Sequence, residues 1–217
     1  MFPLSLFCRA LVTAFLVFFV LAGLLPAPPV LAQSATAALV AKPGALPDMA
    51  LGSAKAPITI VEYSSMSCPH CAAFSENVFP MLQSKYIDTG KVRFVSRAFP
   101  LDLAAVSATM LARCIAKGDG PKYFDATTIL FKRQGELAER PLDTLKSVGG
   151  HFGMSGEAVE ACEQDEGLLE KVKADQQFAF DQLKVDATPT FFINGEKLKG
   201  SMSFEDLEKK LTTILKR

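Results

Sequence analysis

The sequence has no net charge to spend on a polyanion. Its 217 residues hold 23 basic and 23 acidic side chains. It therefore lacks both the basic footprint of a nucleic-acid binder and the acidic excess of a solvating tail. Histidine is scarce, with only His70 and His151, and tryptophan is absent. Beyond residue 32 no apolar run approaches membrane-spanning length. Internal repeats and low-complexity segments are also missing, so length and composition leave one domain, or two at most.

What is present is unevenly spread. Residues 1–32 carry one charge, Arg9, followed by an unbroken apolar run from Leu11 to Leu25 that Pro26, Pro28 and Pro29 end. This is the layout of a secretory signal peptide. Fifteen helical residues would span about 22 Å, short of the roughly 30 Å core that an uncleaved anchor must cross. Val30-Leu31-Ala32 places small or moderately small residues at the processing positions, and cleavage is expected after Ala32. Export to the periplasm would put the mature chain where disulfides persist. Four cysteines remain there, Cys68, Cys71, Cys114 and Cys162.

Residues 33–57, rich in alanine, proline and glycine, read as an extended arm. Ile58 to Tyr63 is β-branched and aromatic, as a largely buried strand is. After Cys68-Pro69-His70-Cys71, the positions Cys71, Phe74, Val78 and Leu82 recur at helical spacing, and Pro80 should kink that helix. Lys91 to Ala98 alternates as a second strand. Leu103 to about Asp181 reads as four or five helices separated by glycine and proline. Strand character returns at Thr190–Ile193, where Asn194-Gly195 supplies a tight hairpin and Glu196–Lys199 the return strand. Ser203 then caps a helix with Leu207, Leu211 and Leu215 on one face. The order is β-α-β, a helical block, and β-β-α.

A Cys-x-x-Cys pair is either half a zinc site or a redox dithiol. Zinc needs four ligands, usually from a second close pair, whereas Cys114 and Cys162 stand alone and His151 lies far along the chain. No metal or cofactor is expected. The pair falls between a strand and a helix, which favours redox chemistry. With Cys68 as N-cap and Pro69 as first helical residue, the amides of His70 and Cys71 point toward the Cys68 sulfur. Those donors, the helix dipole and a charge on His70 would favour the thiolate, making Cys68 the nucleophile and leaving group. Cys71 lies on the apolar stripe and is the resolving cysteine. Thr188-Pro189 precedes the Phe-Phe-Ile strand, and its proline suits either an ordinary strand start or a cis bond, which would bring Thr188 beside Cys68 to bind substrate backbone. Glu62 is either a buried proton-exchange partner of Cys71 or an outward-facing strand residue.

These residues resemble the DsbA-type thiol-disulfide oxidoreductases of the thioredoxin superfamily. Cys68-Pro69-His70-Cys71 is the motif of that family. Thr188-Pro189 looks like its cis-proline site, and Glu62 falls where it has a buried acid. The resemblance runs from about Met49 to the C-terminus. It implies a thioredoxin-like α/β fold over 58–100 and 185–217, with an all-helical insertion over 101–184. It also implies reduced exported proteins as substrates, and a membrane quinone-linked reoxidising partner of the DsbB type. Thr188 stands where some members have valine, and threonine there is also similar to the disulfide isomerases. Those carry a separate dimerisation domain for which 33–57 is too short, so a monomer is expected. In an oxidising compartment Cys114 and Cys162 are expected to form a structural bridge, two buried thiols being the alternative. Three functions fit: a disulfide-donating oxidase, a reductase or isomerase kept reduced by a membrane partner, and a peptide-binding, chaperone-like module with structural cysteines.

Overall fold

The computed structural model describes residues 29–216, so most of the expected leader lies outside the described residues. The first described element is helix α1 (Pro29–Val40), and the expected processing point after Ala32 falls within it. Residues 33–57 are thus not simply an extended arm. Alanine-rich sequence favours helix even without strong periodicity, and Val40 is buried against Val61, Val95 and Phe192. Further on, Met49–Leu51 forms strand β1, too short for alternation to reveal. Between them Arg97 ties the chain down. Its guanidinium donates to both Asp48 carboxylate oxygens at 2.8 and 3.1 Å, to the Tyr63 hydroxyl at 3.0 Å and to the Lys42 carbonyl at 3.0 Å.

The other strands are β2 (Ile58–Ser64), β3 (Val92–Ala98), β4 (Thr190–Ile193) and β5 (Glu196–Lys199). They form a mixed sheet in the order β1-β3-β2-β4-β5. Only β2 and β3 are parallel, with Ile58 opposite Val92 and Ser64 opposite Ala98. A parallel pair needs a crossover, here α2 (Pro69–Asn77), α3 (Phe79–Leu82) and a π-helical turn over Gln83–Ile87. The break between α2 and α3 falls at Val78, two residues before Pro80, whose ring cannot follow a continuous helix.

Side chains alternate across a strand, and this divides the core. Ile58, Ile60, Phe94, Phe191 and Ile193 face a cluster with Phe74, Phe124, Leu207 and Leu211. Val61, Tyr63, Val95 and Phe192 face the other way, onto Val40, Ala179 and Leu183. The β4–β5 hairpin turns on Asn194 (φ 47°) and Gly195 (φ 84°), the pair of positive angles a two-residue turn needs. A Cβ at Gly195 would lie 2.3 Å from that of Ala37, so glycine also permits the close approach of α1.

Between β3 and β4 run six helices, rather than four or five: α4 (Leu103–Ala116), α5 (Gly120–Lys132), α6 (Gln134–Glu139), α7 (Pro141–His151), α8 (Gly156–Glu163) and α9 (Glu166–Leu183). A six-residue helix such as α6 is too short to show a period. Asp102, Asp119, Ser155 and Asp165 cap four of them, and Ser203 caps α10 (Phe204–Leu215), each side chain accepting a backbone amide of the first turn. Each cap contributes about 1 kcal/mol. Among the described residues no helix is long and apolar enough to cross a membrane.

Cys114 of α4 and Cys162 of α8 are joined by a 2.02 Å bond across a sequence separation of 48. Closing a loop of that length stabilises the fold by about 4 kcal/mol through lost unfolded-state entropy. The double variant Cys114→Ala/Cys162→Ala should lose up to that amount. Urea unfolding of both proteins without reductant, each carrying Cys68→Ser and Cys71→Ser, measures the difference.

Candidate active site

The register of the sheet builds the site. Thr190, the first residue of β4, pairs with Tyr63 near the end of β2. The residues before β4 therefore lie beside those that follow β2. The Thr188-Pro189 bond is cis, and the Cys68 thiol donates to the Thr188 carbonyl at 3.3 Å. Of the two sequence readings of this proline, the structure adopts the one that brings Thr188 to Cys68.

Cys68 is the N-cap of α2 and Pro69 its first residue. The Cys68 backbone is extended (φ −85°, ψ 116°), and its carbonyl accepts from the amides of Cys71 and Ala72, both at 3.1 Å. Pro69 has no amide to leave unsatisfied at that position. Cys68 is 4% exposed and Cys71 0%, yet their settings differ. Around Cys68, Ser67 is half-buried and Pro69 and His70 are exposed, so the sulfur lies just under the rim. Cys71 is part of the core with Phe74. Both are free thiols.

Their acidities are pulled apart. The Cys71 thiol, hydrogen-bonded to the Cys68 sulfur, is the main force that brings Cys68 from an ordinary 9.0 down to about 5, against the opposing effect of burial. The Thr188 side chain and the amides of Cys71 and His70 add to it. The Thr188 hydroxyl has no other partner and is buried, which leaves it as a donor for the anion. Donating to Cys68, together with burial and the nearby Glu62, pushes the Cys71 thiol up. The imidazole of His70 makes no hydrogen bond or ion pair among the described residues; its backbone amide is the group that reaches the sulfur.

Glu62 faces inward. It is 5% exposed, stands opposite Ser96 of β3 and Phe191 of β4, and has one carboxyl oxygen with no hydrogen-bond partner. Burial, and then negative charge at Cys68, raise its pKa from 4.5 to about 8. It borders a cavity of about 20 Å³, room for a single water.

One residue of the site carries no signal in the sequence. Gln134, at the start of α6, donates from its side-chain amide to the carbonyls of Met66 at 2.7 Å and Cys68 at 3.0 Å. It holds the turn before α2 from the side of the helical block. A second strut comes from Ser65, whose hydroxyl accepts from the Leu101 amide at 3.2 Å and pairs with the Ser67 hydroxyl at 3.0 Å. An isolated glutamine at the start of a six-residue helix has no period and no motif to mark it. Cys114 and Cys162 lie in the separate cluster of Leu46, Met110 and Val172.

Known proteins resemble this chain over much of its length. Residues 45–213 match the family model described as Thioredoxin. A Rickettsia bellii protein described as a protein-disulfide oxidoreductase is 35% identical over 150 residues, 68% of this chain and 57% of its own length. The chain thus spans little more than half of that relative. Disulfide bond formation protein D of Bacillus subtilis is 25% identical over 174 residues, 76% of either chain. The crystal structure of alpha-DsbA1 from Wolbachia pipientis superposes with a TM-score of 0.71 at 31% identity, covering 77% of this chain and 90% of that one.

The two shifted groups act oppositely on stability. The folded pKa of Cys68, about 5, lies below its unfolded 9.0, so its stabilisation is present above pH 9.0 and is lost as pH falls through about 5. The folded pKa of Glu62, about 8, lies above 4.5, so its contribution is full below pH 4.5 and is lost as pH rises through about 8. Between pH 5 and 8 the two slopes cancel. Relative to the parent reduced protein, Glu62→Gln should therefore gain stability with rising pH over that window and Cys68→Ser should lose it. Urea unfolding in reductant at a series of pH values reads both.

Proposed function

The chain belongs to the thioredoxin family, among the DsbA-type disulfide oxidoreductases, and from that premise we propose that it is an exported, periplasmic oxidase that donates a Cys68–Cys71 disulfide to reduced secreted proteins. The observation that carries this reading is the asymmetry of the pair, a Cys68 anion favoured to about pH 5 beside a buried Cys71 thiol. A stabilised thiolate lowers the energy of the reduced form and so makes the disulfide a stronger oxidant.

In the forward reaction a client thiolate attacks Cys68 Sγ of the oxidised protein. The client–Cys68 bond forms, the Cys68–Cys71 bond breaks, and Cys71 leaves as a thiolate. Glu62, still protonated at neutral pH, supplies its proton. A second client thiolate then attacks the client sulfur of the mixed disulfide and expels Cys68, whose low pKa makes it a good leaving group. The client dithiol has lost two electrons and this chain has gained them. In the reverse direction Cys71 resolves the mixed disulfide. Thr188 and Pro189 hold the client backbone, and a quinone-linked membrane partner of the DsbB type restores the disulfide. The protein works as a monomer, with 58–100 and 185–217 carrying the chemistry and 101–184 as the helical insertion.

The Thr188 hydroxyl beside the sulfur favours a second reading, a reductase or isomerase kept reduced by a different membrane partner. The reduction potential decides between them. An oxidase should be clearly more oxidising than a thioredoxin-like dithiol at about −270 mV, with Cys68 titrating near pH 5. A thioredoxin-like potential with an ordinary thiol pKa would overturn the oxidase. A non-catalytic peptide-binding module is separated by Cys68→Ser, which should abolish disulfide transfer but would leave mere binding intact. His70→Ser should make the protein less oxidising by about 30 mV or more; equilibration with glutathione measures it, and an unchanged potential assigns the effect to the backbone amide alone.

A further inference from the structure

The turn that carries Cys68 is gripped from the helical block by a single side-chain amide. Gln134, half-buried at the start of α6, donates from Nε2 to the Met66 carbonyl at 2.7 Å and to the Cys68 carbonyl at 3.0 Å. The two acceptors differ in what else holds them. The Cys68 carbonyl also receives the amides of Cys71 and Ala72, both at 3.1 Å, as the carbonyl of an N-cap residue does. The Met66 carbonyl has no other partner among the described residues, and Met66 is 3% exposed. Left unpaired in such a place, a carbonyl turns toward water and takes its peptide with it. Gln134 itself has little freedom. Leu137, one helical turn further on, is 1% exposed in the core, and the neighbouring Arg133 pairs with Glu136 and donates to the Ser147 hydroxyl of α7 at 2.9 Å.

The torsions of Ser67 and Cys68 are all that lie between those two carbonyls, so one nitrogen that binds both fixes these torsions as a set. Cys68 is held at φ −85° and ψ 116°. Its sulfur hangs from this stretch, while the amides of Cys71 and His70, which join the Cys71 thiol in favouring its anion, belong to the helix beyond. We infer that Gln134 is a positioning residue for the redox pair: by bridging the Met66 and Cys68 carbonyls it keeps the Cys68 sulfur in line with the amides of His70 and Cys71, and so makes the protein more oxidising. The direction follows because those amides meet a sulfur anion only when the Cys68–Cys71 bond is open. Keeping them in line stabilises the reduced form over the oxidised one, which makes the disulfide the stronger oxidant. The inference rests on the redox reading of the pair, and holds for an oxidase and a reductase alike.

The test is equilibration with glutathione, in which the protein disulfide and two glutathione thiols exchange for the protein dithiol and one glutathione disulfide. Gln134→Met keeps the length of the side chain and removes both donor hydrogens. Its equilibrium constant should fall about fivefold, toward a weaker oxidant, the scale of one net hydrogen bond. The Cys68 thiolate, followed by its ultraviolet absorbance, should form at higher pH than in the parent. Gln134→Ala should move both quantities the same way. Urea unfolding of each protein in its oxidised and reduced forms separates this from a plain structural role. A strut that only supports the fold would cost both forms alike and leave the equilibrium with glutathione unchanged, whereas loss of a positioning residue costs the reduced form more. An equilibrium constant within about twofold of the parent's in both variants overturns the inference, and so does failure of both variants to fold, which makes Gln134 structural. A parent potential in the thioredoxin range rejects the oxidase, while the shift in the variants still upholds Gln134. A parent that forms no Cys68–Cys71 disulfide with oxidised glutathione overturns both.

Discussion

One hydrogen bond between two sulfurs sets the chemistry of this molecule. The Cys71 thiol donates to Cys68, and the same contact lowers one acidity and raises the other. The pair is therefore a single asymmetric unit. The asymmetry comes from backbone geometry as much as from burial. Cys68 stands outside the helix as its N-cap, with extended torsions, so its sulfur lies by the amides of His70 and Cys71, which favour the anion. Cys71 lies inside the helix on the stripe that continues to Phe74 and so faces the core. Proline at the intervening first position removes an amide that would otherwise need a partner. Redox bias in such a site depends on a few angles at one helix end, fixed by the elements around it.

The sheet does much of that fixing, and strand parity decides what the sulfurs see. Glu62 shares a face with Ile58 and Ile60, toward α2, where burial and a neighbouring sulfur anion keep its carboxyl protonated at neutral pH. A slip of one residue would turn it to the face of Tyr63 and Arg97, where the guanidinium already holds Asp48. There it would meet a cation and ionise. The pairing of β4 with β2 is equally consequential. Thr190 opposite Tyr63 leaves Thr188 abreast of the turn that carries Cys68, so the carbonyl of a residue 120 positions away accepts from its sulfur.

Much of this was legible in the sequence, for physical reasons that also mark where legibility stops. The strands at Ile58 and Thr190 announce themselves by β-branched and aromatic runs, the one at Val92 by alternation, and the hairpin by Asn194-Gly195. The last helix shows its cap at Ser203 and its leucine stripe. Cys68 and Cys71 could be given roles because the helix-start geometry follows from local chain chemistry. Glu62 could not be resolved, since a strand residue's face depends on which partner strands flank it. Nor could the proline isomer, which tertiary context selects. Helix α1 was missed because its alanines favour helix without patterning it, and its docking depends on a sheet assembled from later residues. Gln134 was invisible because its meaning is wholly tertiary, two carbonyls more than sixty residues away in sequence.

That last case changes how the helical block should be regarded. A block that merely decorated the sheet would touch it through apolar packing, which tolerates substitution of like for like. Here its contact with the reactive turn is polar and directional. Gln134 donates to the Cys68 carbonyl that also receives the amides of Cys71 and Ala72, and the Leu101 amide binds the serine that braces Ser67. A small rotation of the block would therefore be felt at the N-cap, where the torsions of Cys68 govern how its sulfur meets those amides. The disulfide from α4 to α8 resists such rotation within the block itself, since it joins the helix that begins after Leu101 to one packed on its far end. The β-sheet half of the molecule thus brings Thr188 and Glu62 to the pair of cysteines, while the helical half braces the turn that carries Cys68.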